Sequence, residues 1–302
     1  MSTVRHTSRF EFSTVRMRFE SGGHQCVGTL YRPDRPTDAP VVVMGNGLAA
    51  ERTFGLPRFA ERFAEHGYAA FVFDYRHFGD SEGDPRQLVD VDRQVEDYRA
   101  AMAAVRDADG VDSSRVVLWG VSLSGGHAFR VAAEATGVAG VIAQMPMLDG
   151  RSLLRSMPRR TLVNLFLAGV RDRAQSLLLG PYEVPVVGDP GERAVLTAPG
   201  VKAAYLDLVP DDSAWRNATP ARGLPAVLGH RPVTDLDDVL APAFLLAGTR
   251  DEVVPMGPIE RAADELTDVT FVTLPADHFD VFGRAFEAAV GHQLAFLDTH
   301  VR

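Results

Sequence analysis

Val116-Val117-Leu118-Trp119-Gly120-Val121-Ser122-Leu123-Ser124-Gly125-Gly126 decides how the chain is read. Four apolar residues run straight into a cluster of glycines and serines, and an apolar, Ala-containing stretch begins at His127. The pattern predicts a buried strand, a sharp turn and a helix, with Ser122 at the turn. A serine held there points its hydroxyl off the end of the sheet, which is the geometry of a nucleophile elbow. The usual pattern has Gly two residues after the nucleophile. Here that position is Ser124, so the reading needs partner residues from elsewhere in the chain.

Working outward, apolar strands alternate with helical periodicity. Val41–Met44 reads as a buried strand ending in Gly45-Asn46-Gly47-Leu48. A helix is predicted from Leu56, with Leu56, Phe59, Ala60 and Phe63 inward and Gly67 as its stop. Ala69–Phe73 is the next strand and runs into Asp74-Tyr75-Arg76-His77-Phe78-Gly79-Asp80-Ser81-Glu82-Gly83. Val95, Tyr98, Met102 and Val105 mark another helix face, and Val138–Ala143 another strand. This rhythm predicts an α/β fold with a mostly parallel central sheet covered on both faces. Residues 13–19 and 26–31, turned by Gly22-Gly23, predict an antiparallel N-terminal hairpin at its edge. Residues 1–10 read as a loose arm.

The rhythm breaks after Pro146. A helical region rich in Leu and Arg spans 151–179, and Pro181, Pro185 and Pro190 then interrupt it. We read 147–235 as an inserted, mainly helical cap, and 1–146 with 236–302 as the two parts of one core. A strand-containing second domain is the alternative. The sheet resumes at Ala243–Gly248 and Val269–Leu274, with a helix at 258–266 between them and a closing helix near Phe286–Leu297.

Composition narrows the function classes. A net charge of −9, with no cluster of basic residues and interleaved aromatics, argues against a nucleic-acid partner. Lys202 is the only lysine, so the positive charge is almost all arginine. Cys26 is the only cysteine, which excludes an intramolecular disulfide and a Cys-based zinc site. No run approaches the ~18 apolar residues of a membrane span. The first residues carry no apolar signal core, so a soluble cytoplasmic protein is expected. No Gly-x-Gly-x-x-Gly, phosphate-loop Lys or His-Glu-x-x-His occurs, and neither cofactor nor metal is expected.

Two residues complete the elbow. Asp251 and His278 each lie just beyond a predicted strand, as Ser122 does. The ends of parallel strands form one rim, where ligands bind. A serine hydroxyl needs a base to take its proton, His278 suits that task near neutral pH, and Asp251 would hold the imidazole tautomer. The chain order Ser, Asp, His is that of the α/β-hydrolases.

The chain resembles the α/β-hydrolase superfamily over nearly its whole length. Asn46-Gly47-Leu48 is similar to its His-Gly-x oxyanion loop, and the 74–83 segment to its Asp-x-Arg-Gly-x-Gly-x-Ser loop. Within the superfamily, Gly120-x-Ser122-x-Ser124-Gly125-Gly126-His127 most resembles dienelactone-hydrolase-like and prolyl-peptidase-like hydrolases. The resemblance implies cleavage of an ester, thioester or amide through an acyl-enzyme. In some members it implies natural-product chemistry or carbon–carbon cleavage instead. Two departures stand out: Ser124 replaces Gly, and Asn46 replaces His.

Oxyanion donors are expected from the backbone N–H of Leu123 and Leu48. Asn46, His77, Met145, Met147 and Trp215 are candidate pocket residues. Leu148, Leu153, Leu154, Met157, Phe166, Leu167 and Leu224 are cap residues suited to an apolar ligand. Asp74 and Arg76 are expected to brace their loop as an ion pair, with Asp80, Glu82 and Asp84 in a solvated turn, and His127 to be structural. Asp277 and Asp280 flank His278 and are alternatives to Asp251. The expected partner is a small-molecule acyl substrate, and the arginines at 151, 155, 159, 160, 171 and 173 leave open a carrier protein or coenzyme A presenting it. A homodimer is also left open. The competing readings are an acyltransferase, cyclase or carbon–carbon lyase on the same residues, and a catalytically silent binding protein.

Overall fold

In the computed structural model, residues 10–302 are described apart from 158 and 177. Apart from Phe10, the arm read at 1–10 therefore lies outside the described residues. The chain opens with β1 (Phe12–Ser21) and β2 (His24–Pro33), then β3 (Ala39–Gly45), α1 (Leu56–Glu65), β4 (Ala69–Phe73), α2 (Val91–Arg106), β5 (Val111–Val121), α3 (Leu123–Glu134) and β6 (Val138–Gln144). An insertion follows: α4 (Gly150–Ser156), α5 (Arg159–Gln175), β7 (Glu183–Val184), α6 (Val201–Leu206), β8 (Thr219–Pro220) and α7 (Leu224–Gly229). The core ends with β9 (Ala243–Gly248), α8 (Met256–Glu265), β10 (Val269–Leu274) and α9 (Phe286–His300).

Eight strands form one sheet in the order β1-β2-β4-β3-β5-β6-β9-β10. β1 and β2 pair antiparallel with each other, and β2 antiparallel with β4. The other pairs are parallel. Strand periodicity sorts the core into two layers. Val116 and Leu118 of β5, with Val41 and Val43 of β3, pack against Tyr98 of α2, Phe129 of α3 and Ile259 of α8. Val117 and Trp119, with Val42 and Met44, pack against Phe59 and Phe63 of α1 and Phe286 and Leu294 of α9. Strands apolar at every position are thus buried on both faces, which places them at the sheet centre.

Several buried polar groups in these layers are partnered across the sheet. The Trp119 indole donates to Gln293 Oε1 (2.9 Å), and Gln293 Nε2 donates to Gln144 Oε1 (2.7 Å). The Tyr98 hydroxyl lies 2.8 Å from the carbonyl of Val43 and 2.7 Å from that of Trp119, joining the ends of β3 and β5.

The insertion is mainly helical, with β7 and β8 as a two-residue antiparallel ladder. It has its own small apolar cluster of Leu165, Val184, Ala221 and Leu224. Asp172 is fully buried there, with Arg222 and the amides of Tyr182 and Arg222 around it. The six arginines singled out on α4, α5 and their junction are all exposed.

One expectation for the loop after β4 is corrected. Asp74 and Arg76 do not pair with each other: Asp74 takes Arg52, while Arg76 takes Asp97 (2.7 Å) and Glu96 (2.6 Å). Asp80, Glu82 and Asp84 are exposed, as expected of a solvated turn, and Asp80 also meets Arg52 (2.6 Å) and Arg16 (3.2 Å). The partners come from distant segments, which local reading does not reach.

His127 of α3 is buried as expected, with Nε2 3.1 Å from Gln94 Oε1 and Nδ1 3.1 Å from Nε2 of His230. His230 lies where the chain leaves α7, so this pair ties the end of the insertion to the elbow helix. Burial drives His127 well below its ordinary pKa, and pushes His230 down to about 3. Both are therefore neutral when folded and protonate near pH 6.5 when unfolded, so the unfolded chain binds more protons in mild acid. Stability is expected to fall as pH drops from about 6.5 toward 4, by up to about 1.4 kcal/mol per pH unit for each histidine. Urea unfolding at pH 7, 5.5 and 4.5 checks this. His230→Gln should have a shallower slope, and identical slopes would contradict it.

Candidate active site

The elbow is the most constrained part of the rim. Ser122 adopts φ 55°, ψ −122°, a conformation costly for a residue with a Cβ. The glycines around it make that turn sterically feasible. A Cβ at Gly120 would lie 2.1 Å from the Ser124 carbonyl oxygen. One at Gly125 would meet Pro146 Cβ at 2.7 Å, and one at Gly126 the Met147 carbonyl at 2.4 Å. Hydrogen bonds close the turn: Ser122 N–H donates to Gln144 (3.0 Å), and its carbonyl accepts from Gly125 (3.0 Å) and Met147 (2.9 Å).

Ser124 is accommodated by a hydrogen-bond chain. Its side chain is fully buried, its hydroxyl donates to the Asn46 carbonyl, and it lies 2.7 Å from the Tyr75 hydroxyl. The serine that departs from the usual motif therefore ties the elbow to the loop after β3. Asn46 holds that loop from within. Its Nδ2 donates to the carbonyls of Glu51 (2.7 Å) and Phe54 (3.0 Å), and its Oδ1 accepts from Gly47 N–H (2.8 Å). The insertion grips the same loop, with the Tyr205 hydroxyl donating to the Leu48 carbonyl and the Trp215 indole to that of Ala49, each at 2.9 Å.

His278 follows β10, and Asp251 follows β9. His278 Nδ1 lies 2.7 Å from Asp251 Oδ2, and each side chain is 4% exposed. The other Asp251 oxygen accepts the amides of Val253 (2.7 Å) and Val254 (2.9 Å). Burial alone would raise the Asp251 pKa. The charge and ring bond of His278, with the Val254 and Val253 amides, outweigh it and hold the carboxyl below its usual value. Asp277 and Asp280 are turned to Arg284, and Asp280 also to Arg250.

Ser122 faces two spaces. A cavity of about 410 Å³ is lined by Ser122, Leu48, Leu123, Met147 and residues of the insertion. Leu153, Met157, Phe166 and Leu224 reach it as expected, and so do Leu165, Thr161, Pro225, Val227 and Leu228, which were not named. Sequence reading also missed Val195 to Pro199, Val253 and Val254. The last two sit directly after Asp251, and that position was the one available signal. Among the described residues of this lining, Glu252 is the only one with a charged side chain. A second space of about 30 Å³ is lined by Ser122, Asn46, Gly47, Leu48, Tyr205 and His278, among others.

Three candidate pocket residues lie elsewhere. His77 is buried in its loop against Gly83, and burial pushes its pKa down to about 4. Met145 is fully buried against Trp119 and Phe244 in the sheet's other layer. Trp215 stacks on Tyr205 (5.5 Å) and crosses Phe54 (5.7 Å) behind the loop it holds. Leu148 is buried, and Leu154 and Leu167 face outward at 42% and 58% exposure. Among the described residues, no group of three or more His, Cys, Asp and Glu side chains is placed to hold a metal ion. No described helix is long and apolar enough to cross a membrane.

A family model described as serine aminopeptidase, S33, matches residues 37–276. The quorum-quenching protein AidA of Acinetobacter baumannii is 37% identical over 283 residues, 93% of each chain. The polyketide transferase grgF of Penicillium sp is 32% identical over 154 residues, half of each chain. The solved structure of DcsB in complex with its substrate analogue superposes with a TM-score of 0.83 at 24% identity, covering 96% of this chain and 99% of that one. That likeness speaks to the fold.

Ser124→Ala removes the donor to the Asn46 carbonyl and one partner of the Tyr75 hydroxyl, both in a buried setting. The expected cost is about 1–3 kcal/mol of stability in urea unfolding. Stability equal to wild type would show that this link holds nothing.

Proposed function

Because the chain belongs to the serine aminopeptidase S33 family of α/β-hydrolase-fold serine hydrolases, we propose that Ser122 attacks the carbonyl of an apolar acyl ester or thioester. His278 takes the serine proton, and Asp251 fixes the ring and stabilises its cationic form. The amides of Leu48 and Leu123 stabilise the oxyanion. Leu123 N–H belongs to the first turn of α3, where helix amides have no intrahelical acceptor and the helix end is positive. The tetrahedral intermediate collapses to an acyl-enzyme, and water attack assisted by the same histidine releases the acid.

One observation carries this reading. The Asp251–His278 pair stands beside the strained Ser122, and Ser122 opens onto a large apolar cavity. A single carboxylate in that lining suits an uncharged acyl chain. The insertion, which we assign to 147–235, sets which chain fits. The elbow pattern supports kinship with the dienelactone-hydrolase-like and prolyl-peptidase-like subgroup. A lactone is the same bond closed on itself and belongs in the substrate screen. The exposed arginines of α4 and α5 suit an acidic carrier protein or the phosphates of coenzyme A presenting a thioester. Acyl transfer is the second reading, favoured by the polyketide transferase relative.

Release of p-nitrophenol from p-nitrophenyl esters tests the proposal. Ser122→Ala and His278→Ala should each lower kcat at least ~1,000-fold, and the double variant little further. Asp251→Asn should lose roughly 100- to 10,000-fold. The octanoate should exceed the acetate in kcat/KM by about tenfold or more, since each buried methylene contributes ~0.8 kcal/mol. An active Ser122→Ala protein would overturn the assignment, and equal rates on both esters would remove the acyl role of the cavity.

A further inference from the structure

The exposed apolar side chains are not spread evenly over the molecule. Seven of the ten large ones among the described residues lie between 154 and 179. Val163, Phe166, Leu167 and Val170 recur at helical spacing along the outer face of α5, each more than half exposed. Leu178 and Leu179 extend the patch beyond the helix. Leu165, Gly169 and Asp172 form the buried face of the same helix, so this stripe is not the side that packs on the insertion. A contiguous apolar patch of this kind marks a contact with a partner.

Charge identifies the partner. The chain carries a net charge of −9, yet the patch is bordered by the exposed Arg155, Arg159, Arg160, Arg171 and Arg173. Only two carboxylates occur from 147 to 182, and both are spent on other arginines. Asp149 takes Arg231 (2.9 Å) and Arg261 (3.6 Å), and Asp172 takes Arg222 (2.8 Å). Asp189 and Glu192, which flank Pro190 and Gly191 of the cavity wall, share Lys202. Arginines stand at both ends of the stripe, so a second copy laid along α5 in either direction would set arginine against arginine. The phosphates of coenzyme A would engage the arginines and leave the stripe in water.

We propose that this face docks on the anionic surface of a lipid bilayer, with the apolar stripe of α5 among the acyl chains and the arginines on the lipid phosphates. That division is the one an interfacial helix makes. Arginine suits its border, because the apolar stem lies along the stripe while the guanidinium reaches the headgroups. Phe166 joins the docking face to the site: it is 59% exposed on the stripe and also lines the large cavity. Resting on the reading of that cavity as the acyl site, this makes the bilayer the source of the acyl substrate.

Cosedimentation with unilamellar vesicles tests this, on wild type and on Ser122→Ala, which should bind alike. Vesicles of equal parts phosphatidylglycerol and phosphatidylcholine should retain at least tenfold more protein than phosphatidylcholine alone. Leu167→Gln combined with Val170→Gln should lower binding at least fivefold, and so should Arg159→Gln combined with Arg160→Gln. No wild-type binding to the anionic vesicles would overturn the proposal. So would loss confined to the arginine pair, with poly-L-glutamate binding as well as the vesicles, which would assign the face to an acidic protein. A wild-type dimer that the Leu167 and Val170 changes dissociate, with no vesicle binding, would assign it to a second copy and overturn the proposal as well. Binding by a protein inert toward esters would leave the docking face standing and overturn the Ser122 reading alone. If a variant does not fold, the contrast between the two vesicle types on wild type decides.

Discussion

The backbone of Ser122 is the constraint on which the site depends. A residue with a side chain is held at φ 55°, and a position of that kind persists only where its surroundings leave no alternative. Those surroundings are specific. Gly120, Gly125 and Gly126 are places where a Cβ would collide with backbone or with Pro146. Parallel pairing of β5 with β3 and β6 delivers the turn to the rim. The Ser124 hydroxyl then joins the elbow to the loop after β3, so the serine and the amide of Leu48 are positioned by one connected structure.

The insertion has two roles. It walls most of the large cavity, and it also holds the loop after β3, through Tyr205 to Leu48 and Trp215 to Ala49. The wall of the cavity and the support of the loop after β3 therefore share elements. His230 adds a third tie, from the end of the insertion to His127 beneath the elbow. A change inside the insertion is expected to be felt at Ser122 even when it touches no substrate.

Much of this was legible in the residues. Alternating apolar strands and helices specified the sheet, because strands buried on both faces are apolar at every position. The adjacency of Asp251 and His278 followed from both lying past the ends of neighbouring parallel strands, β9 and β10. Other features were not legible, for physical reasons. Met145 and Trp215 sit near the rim in sequence, yet they turn inward, and no local pattern encodes that direction. Arg52 with Asp74, and Arg76 with Asp97, are pairs made across the fold. The cavity wall at 195–199 is irregular backbone, which carries no period to read.

Which oxygen becomes acylated decides the proposed chemistry. Ser122 and Ser124 are two residues apart, but one faces both cavities and the other is buried and hydrogen-bonded. The direct measurement is peptide mass spectrometry after brief exposure to a fluorophosphonate probe, on wild type and on His278→Ala. A single adduct on Ser122, strongly slowed without His278, is the predicted result. An adduct on Ser124, or none on a protein that still turns over ester, would contradict it.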